Sequence, residues 1–389
     1  MTATVTLRKR LERVLRQGHP WIFRDALAGE LPEPGAVVTV LDDRGGLLVR
    51  GLAEAGPIGV RVFTTRDEPV DAGLFVERIR SAAGLRARVV PPETTAYRLV
   101  HGEGDRLPGV VCDVYGEHAV LQFDGQAAQK WQDVIVEALG TVLDDLGVAH
   151  LLQRSGGRGE RRVEVLRGRR PTSAVEVLEC GMRLRADLVQ GQKTGLFLDH
   201  RESRRRLRGF ARGLGVLNLY GYTGGFSIAA GLGGAASVDT VDSAAPALEL
   251  AVQGFADNGL SAVPHRIHAT KVQPFLEAAA RRDERWELIV ADPPSFAPSE
   301  KKVQGALDAY RALHGAALGR LEPGGLYLAA SCSSHVRREA FEKTVISGAR
   351  KAGRVVQVLE RWGAPADHPR LLAFPEGDYL CVLLARLVD

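Results

Sequence analysis

Two side chains stand where chemistry, more than packing, explains their type. Cys332 lies between serines in Ser331-Cys332-Ser333-Ser334, at the expected C-terminal end of a strand, which is a poor core position. A cysteine is by default a small buried hydrophobe, and Cys112, Cys180 and Cys381, inside expected strands, are read that way. Asp292 opens Asp292-Pro293-Pro294-Ser295-Phe296 at the end of the apolar run WELIVA. Two prolines stop that strand and stiffen its turn, which aims the carboxylate into a cleft. With the two strands side by side, thiol and carboxylate share one edge. Carbon 5 of cytosine is a poor nucleophile. A thiolate that adds to C6 turns the ring into an enamine whose C5 can attack a methyl sulfonium. A carboxylate near N3 stabilises that adduct by a hydrogen bond or a proton. A base then removes the C5 proton and the thiol departs. Pro293 and Pro294 would wall the target base, and Phe296 would stack on it once it is extruded. Ser295 holds the place directly after the prolines where amino-group methylation favours an aromatic, which argues mildly against that chemistry.

A second constellation suits a ligand. The first strand of the C-terminal half ends in Asn218-Leu219-Tyr220-Gly221-Tyr222-Thr223-Gly224-Gly225-Phe226, and the second ends at Asp242-Ser243. Glycines let a backbone approach a ligand closely. The loop is not GxGxxG, so a dinucleotide pyrophosphate is not indicated. A carboxylate after the second strand can accept from both ribose hydroxyls. Together they suit an adenosine-type ligand without a diphosphate, which describes S-adenosylmethionine. Taken alone, loop and acid fit an ordinary strand–helix turn with a capping Asp equally well. Asn218, Tyr220, Thr223, Gly224, Gly225, Asp242 and Ser243 are the cofactor candidates.

These residues need strand ends to hold them. GVLNLYGY, ASVDTVDS, VPHRIHA, WELIVADPPS, GGLYLAASCS, VVQVLERW and YLCVLLARL read as strands, mostly separated by helical stretches. Such alternation predicts an α/β, Rossmann-like doubly wound parallel sheet with its ligands at the carboxyl ends of the strands. No convincing helix precedes the last strand, so it is expected to be antiparallel. Upstream, AVVTVLDDRGGLLVRGLAEAG is a hairpin signal, and VDAGLFVERIRSAAGLRARV and AAQKWQDVIVEALGTVLDDLG have helical periodicity. The reading is a small β-rich domain over 1–75, an α+β domain over 76–186 and the doubly wound domain over 187–389. In LRKRLERVLRQGHPWIF, the favoured reading is a solvated helix flank packed by two core aromatics, Trp21 and Phe23.

Bulk properties exclude several classes. A 389-residue chain with 45% hydrophobic and 25% charged residues is that of ordinary globular domains. The start carries basic residues with no apolar run behind them, so no signal peptide is expected, and no stretch reaches a membrane span. Four scattered cysteines without CxxC spacing argue against a metal site or disulfide framework and suit the cytoplasm. Net charge is only +4, but the basic residues cluster at 8–16, 158–170 and 201–208. A charge run is usually a solvated surface. Three such runs on one face would make a groove for RNA phosphates.

The motifs also converge on a family. Gly191-Gln192-Lys193-Thr194-Gly195-Leu196-Phe197-Leu198-Asp199-His200-Arg201 resembles the GQKTGxFLDxR segment of bacterial 23S ribosomal RNA cytosine-5 methyltransferases, the RlmI-like family. NLYGYTGGFS, DPPSFAPSEK, SCSSH and DHPRLLAFPEGDYL resemble its later motifs, GHPWIF the start of its PUA domain, and HGEGDRLPGVVCDVYG its middle domain. The likeness runs in order along nearly the whole chain. It implies a PUA domain, a class I methyltransferase domain, S-adenosylmethionine as methyl donor and Cys332 as nucleophile. It further implies that Phe197, Arg201 and Asp292 join Thr223, Gly224, Gly225 and Asp242 in the cofactor pocket, and that Lys193, Thr194 and Asp199 shape the wall between cofactor and base. Arg204 and Arg205, on a helix beside the site, are the expected RNA contacts. Lys271 stands where the family often carries an acid near the adenine amino group. The expected partner is 23S ribosomal RNA, naked or in a partly assembled large subunit. Oligomeric state is left open, a homodimer included. Two rivals remain: N7-guanine methylation, which needs no thiol, and a non-catalytic RNA-binding or ribosome-assembly factor.

Overall fold

In the computed structural model, which describes residues 3–156, 161–297 and 299–388, the apolar runs become strands as their periodicity requires. Arg158, part of one basic cluster, and Pro298 lie outside the described residues. The chain divides into two compact units, 1–175 with 186–195 and 366–377, and 176–185 with 196–365 and 378–389.

The first unit holds two sheets, each over its own apolar core. Val37–Leu41 and Leu47–Ala53 form the expected hairpin, and Asp42 closes its turn by accepting from the backbone of Arg44 and Gly46 at 3.1 and 2.8 Å. The N-terminal stretch departs from expectation. Ala3–Leu7 is a strand paired in parallel with Val37–Leu41, and only Glu12–Arg16 is helical. Phe23 is no core aromatic but 44% exposed. Trp21 sets its ring 4.6 Å from Phe374, and its indole N–H donates to Glu103 at 2.8 Å. The second sheet runs Arg162–Arg167, His150–Ser155, His118–Phe123, Val110–Tyr115, Ala96–His101, with helices Ala72–Val89 and Gln132–Asp145 contributing to its core. Segment 366–377 belongs here through polar bonds as well: Asp367 accepts the Arg98 backbone N–H at 3.0 Å and its carbonyl accepts from Arg86 at 2.8 Å.

The second unit is built on seven strands: β1 (Gly215–Leu219), β2 (Ser237–Asp242), β3 (His265–Ala269), β4 (Trp286–Ala291), β5 (Leu321–Ser331), β6 (Val356–Trp362) and β7 (Cys381–Leu387). Their order is β3-β2-β1-β4-β5-β7-β6. The first five are parallel, and β7 is inserted antiparallel between β5 and β6, as its missing crossover helix predicted. Helices α1 (Arg201–Phe210), α2 (Gly225–Leu232), α3 (Ala245–Asp257), α4 (Val272–Arg281), α5 (Val303–Leu318) and α6 (Arg338–Lys351) alternate with the strands. Chain order reverses between β1 and β4, so the switch point lies at the ends of β1 and β4. A hairpin, Val175–Glu179 with Met182–Ala186, contributes residues 176–185 to this unit.

Candidate active site

Strands β4 and β5 are direct neighbours, Ala291 opposite Ala329, so Asp292 and Cys332 leave the same end of adjacent strands. Both are half-buried. A hydroxyl network ties their loops together. Buried Tyr310 of α5 places its hydroxyl 2.9 Å from Ser331 Oγ and 3.2 Å from Ser333 Oγ, and Ser333 Oγ lies 3.1 Å from Ser295 Oγ. The serines on either side of Cys332 are therefore anchors, and Ser295 is their counterpart on the Asp292 loop. Burial pushes the Tyr310 phenol up to about 12, so its proton stays in the network. Pro293 is buried and Pro294 exposed. Phe296, expected as a stacking platform, packs its ring 4.9 Å from Tyr310 against the core.

Asp292 also has a partner that the sequence reading missed. His200 Nε2 lies 3.2 Å from Asp292 Oδ2. The His200 Nδ1 is 3.2 Å from Ser203 Oγ, which accepts the Trp362 indole N–H at 2.8 Å. Only the histidine within Leu198-Asp199-His200-Arg201 could have signalled this. Asp199 is buried, and the Tyr379 hydroxyl donates to its Oδ2 at 3.0 Å.

The ligand candidates gather at the ends of β1 and β2. Tyr220, Tyr222 and Gly224 take left-handed φ of 59°, 48° and 76°. The Asp242 carboxylate organises this loop, accepting from the Tyr222 backbone N–H at 2.9 Å and from that of Ala244 at 2.8 Å. Each oxygen keeps a further lone pair for a hydroxyl. Phe197 meets Tyr222 edge to face at 5.4 Å. Thr223 is buried and Ser243 exposed. This donor set fits S-adenosylmethionine: a half-buried acid for a ribose, an aromatic edge, and no lysine or arginine within 220–225 to meet a diphosphate. One expectation is corrected. Asn218 is fully buried beneath the loop, donating to Ser227 Oγ at 2.8 Å. The glycines are also required by protein packing: a Cβ on Gly221 would stand 2.4 Å from Thr240 Cγ2, one on Gly224 2.6 Å from Ala251 Cβ, and one on Gly225 3.0 Å from Arg204 Cδ. Lys271 is exposed at the start of α4.

The basic helix α1 is corrected most. Arg201 is buried. Arg204 is 6% exposed and forks onto Glu179 with two 2.6 Å bonds, a third reaching the Phe197 carbonyl at 2.9 Å. It cannot contact RNA, because its charge is matched inside the fold. Arg205 is exposed but paired with Glu202 at 2.9 and 2.7 Å, and Arg206 bonds Glu202 and Glu360. Lys193 is exposed and Thr194 buried, both in the first unit. Thr194 donates to Asp113 at 2.6 Å, which leaves the Tyr115 hydroxyl as donor in their 2.7 Å contact.

A sheet of this order, with an acid at the end of β2 and a DPP turn at the end of β4, defines an S-adenosylmethionine-dependent methyltransferase. Residues 136–376 match the S-adenosylmethionine-dependent methyltransferase family, and residues 5–65 match a PUA-like domain. The chain is 36% identical to ribosomal RNA large subunit methyltransferase I of Photobacterium profundum, covering 98% of each chain. It is 35% identical to the protein of that name from Shewanella denitrificans, covering 100% of each. A solved Streptococcus mutans chain described as a SAM-dependent methyltransferase superposes with a TM-score of 0.87 at 25% identity, over 99% of this chain and 100% of that one. A second solved structure, of a methyltransferase complexed with SAH, shares the fold with a TM-score of 0.88 at 24% identity, over 99% of each chain. The chain belongs to the ribosomal RNA large subunit methyltransferase I family of S-adenosylmethionine-dependent methyltransferases, and S-adenosylmethionine is its cofactor.

Proposed function

We propose that this protein methylates C5 of a cytosine in 23S ribosomal RNA, naked or in a partly assembled large subunit, in the cytoplasm. The reading rests above all on one observation: Cys332 and Asp292 leave the same end of neighbouring strands, their loops tied by Ser295, Ser333 and Tyr310. The relatives' name supports the substrate class. Functionally we divide the chain into an RNA-binding part over 1–75, an α+β part over 76–186 and the methyltransferase part over 187–389.

Asp242, Ser243, the Tyr220–Gly225 backbone and Phe197 would hold S-adenosylmethionine, which supplies an electrophilic methyl group. The Cys332 sulfur forms a bond to C6 of the cytosine, and the ring's C5–C6 π electrons become available at C5 as an enamine. Asp292 hydrogen-bonds or protonates N3 and so stabilises the adduct. Once C5 carries the methyl group, a base takes the C5 proton, the C5–H electrons re-form the C5–C6 double bond, the C6–S bond breaks to release the Cys332 thiolate, and any proton gained at N3 returns to Asp292. Asp199 lies in the turn directly before α1, and Arg201 opens that helix. Of the arginines expected to meet RNA, Arg205 alone of the pair remains a candidate.

The test is incubation of the protein with isotope-labelled S-adenosylmethionine and unmodified 23S RNA, followed by mass spectrometry of the nucleosides. Labelled 5-methylcytidine is expected. Labelled 7-methylguanosine would retire both the product and Cys332 as nucleophile.

A further inference from the structure

The motif GQKTGxFLDxR leaves open the position that His200 holds, so the family likeness says nothing of its role. The structure places it in a directed chain. Trp362 Nε1–H can only donate, and it donates to Ser203 Oγ at 2.8 Å. Ser203 is fully buried, and among the described residues its hydroxyl also meets His200 Nδ1, at 3.2 Å. Oγ has a second lone pair, but were it to accept from an Nδ1–H its own buried proton would face no acceptor among the described residues, so that proton points at Nδ1. In the neutral imidazole, a nitrogen that accepts leaves the other to carry the hydrogen. That hydrogen therefore sits on Nε2, which faces Asp292 Oδ2 at 3.2 Å. Ring orientation is fixed as well: His200 is 2% exposed and sits 5.4 Å from Phe226 at 64°. Trp362 ends β6, Ser203 and His200 stand at the start of α1, and Asp292 follows β4, so three separate elements agree on one direction of donation.

We propose that His200 is a positioning residue for Asp292: a donor locked in the Nε2–H form by Ser203 and Trp362, which holds Oδ2 and leaves Oδ1 for the target base. The proposal builds on Asp292 acting at the base, as read above. The tryptophan at the end of β6, on the far side of the sheet order from β4, thereby acts on the catalytic carboxylate through two intervening side chains. The arrangement fixes the carboxylate before substrate arrives, and a carboxylate misplaced by about 1 Å costs on the order of 100-fold in rate.

The first measurement needs neither RNA nor cofactor. Long-range proton–nitrogen correlation spectra of the whole protein labelled with ¹⁵N-histidine, taken at pH 8, read which His200 nitrogen carries hydrogen. His200→Gln removes one pattern and assigns it. Nε2–H is expected in the wild type, and Ser203→Ala is expected to relax it toward a mixture of tautomers. An Nδ1–H form, or an unchanged pattern in Ser203→Ala, overturns the proposal. The second measurement is kinetic. His200→Ala is expected to lose roughly 100-fold in kcat with KM for S-adenosylmethionine within about threefold. His200→Gln, whose amide can still donate to Oδ2, is expected to recover at least about tenfold of that loss. Equal activity of wild type and His200→Ala, or no rescue by His200→Gln, overturns the positioning role. The wild-type nucleoside product is scored separately, so failure of the cytosine reading is distinguishable from failure of the donor chain. A misfolded His200→Ala is recognised from its spectrum, and the wild-type and Ser203→Ala tautomers then decide the matter.

Discussion

Arg204 and Glu179 meet inside the fold through two 2.6 Å bonds, with side chains 6% and 1% exposed. Burial works against the guanidinium charge, but Glu179, with Asp199 and Asp292 nearby, holds the Arg204 pKa above its usual value. The pair staples the 176–185 hairpin to α1. Removing one partner leaves a buried charge, which costs about 3–5 kcal/mol. Arg204→Ala and Glu179→Ala are each expected to lose that much in urea melts. The double variant should lose distinctly less than the sum of the two. Additive losses would mean that the two charges do not stabilise one another.

How much of this was legible in the sequence follows from what is local. Most strands of the doubly wound sheet announce themselves as apolar runs, and Asp242, Asp292 and Cys332 are read as site residues because they terminate such runs. The antiparallel seventh strand was legible from a missing crossover helix. The burial of Arg204 was not, because its partner lies 25 residues upstream in another element, and RESRRRLR has the composition of a solvated face. His200 was hidden for the same reason: Ser203 is local, but Trp362 is 159 residues away. Segment 366–377 carries no local mark of the Asp367 bonds that tie it to Arg86 and Arg98.

The four thiols are expected to differ in reactivity, since the thiolate is the reactive form. Burial, with Asp113 adding to it, pushes the Cys112 thiol far above its usual range, and burial raises Cys381 as well. Cys332 and Cys180 are half-buried. Brief treatment of the native protein with iodoacetamide, read by peptide mass spectrometry, should modify Cys332 and Cys180 before Cys112 and Cys381. Cys332→Ala should abolish 5-methylcytidine formation while Cys112→Ala retains it. Methylation surviving in Cys332→Ala would remove the thiol from the mechanism.

Gly224 combines a φ of +76° with a Cβ position 2.6 Å from Ala251 Cβ and 3.1 Å from Ala251 Cα. Alanine there meets both left-handed strain and overpacking against α3. The two together cost about 2–4 kcal/mol. Gly224→Ala should lower thermal stability accordingly and weaken S-adenosylmethionine binding in calorimetry, because the same loop carries the Tyr222 N–H that Asp242 holds. A variant as stable as wild type would show that α3 yields freely at Ala251.

Acid should destabilise the fold well before its carboxylates titrate. Burial lowers the pKa of His314 from 6.5 to about 3 and that of His265 to about 4, and burial with neighbouring His150 also lowers His118. Asp239 adds to this lower down: burial alone would raise it, but His268, Arg266 and Trp286 bond its oxygens and hold it at about 2. The unfolded chain takes up protons near pH 6.5 that these folded histidines refuse, so it binds more protons than the native state throughout the window. Stability therefore rises with pH between about 3 and 6.5, and each such histidine contributes a slope approaching about 1.4 kcal/mol per pH unit. Thermal melts at constant ionic strength should fall steadily from pH 7 to pH 5. His314, whose Nδ1 lies 2.7 Å from the Tyr327 hydroxyl and whose buried Nε2 has no hydrogen-bond partner among the described residues, should dominate. His314→Gln removes the titration but keeps an amide for Tyr327. It should melt lower than wild type at pH 7 and show a visibly shallower decline toward pH 5. An equal slope in the two proteins would assign the acid sensitivity to other groups.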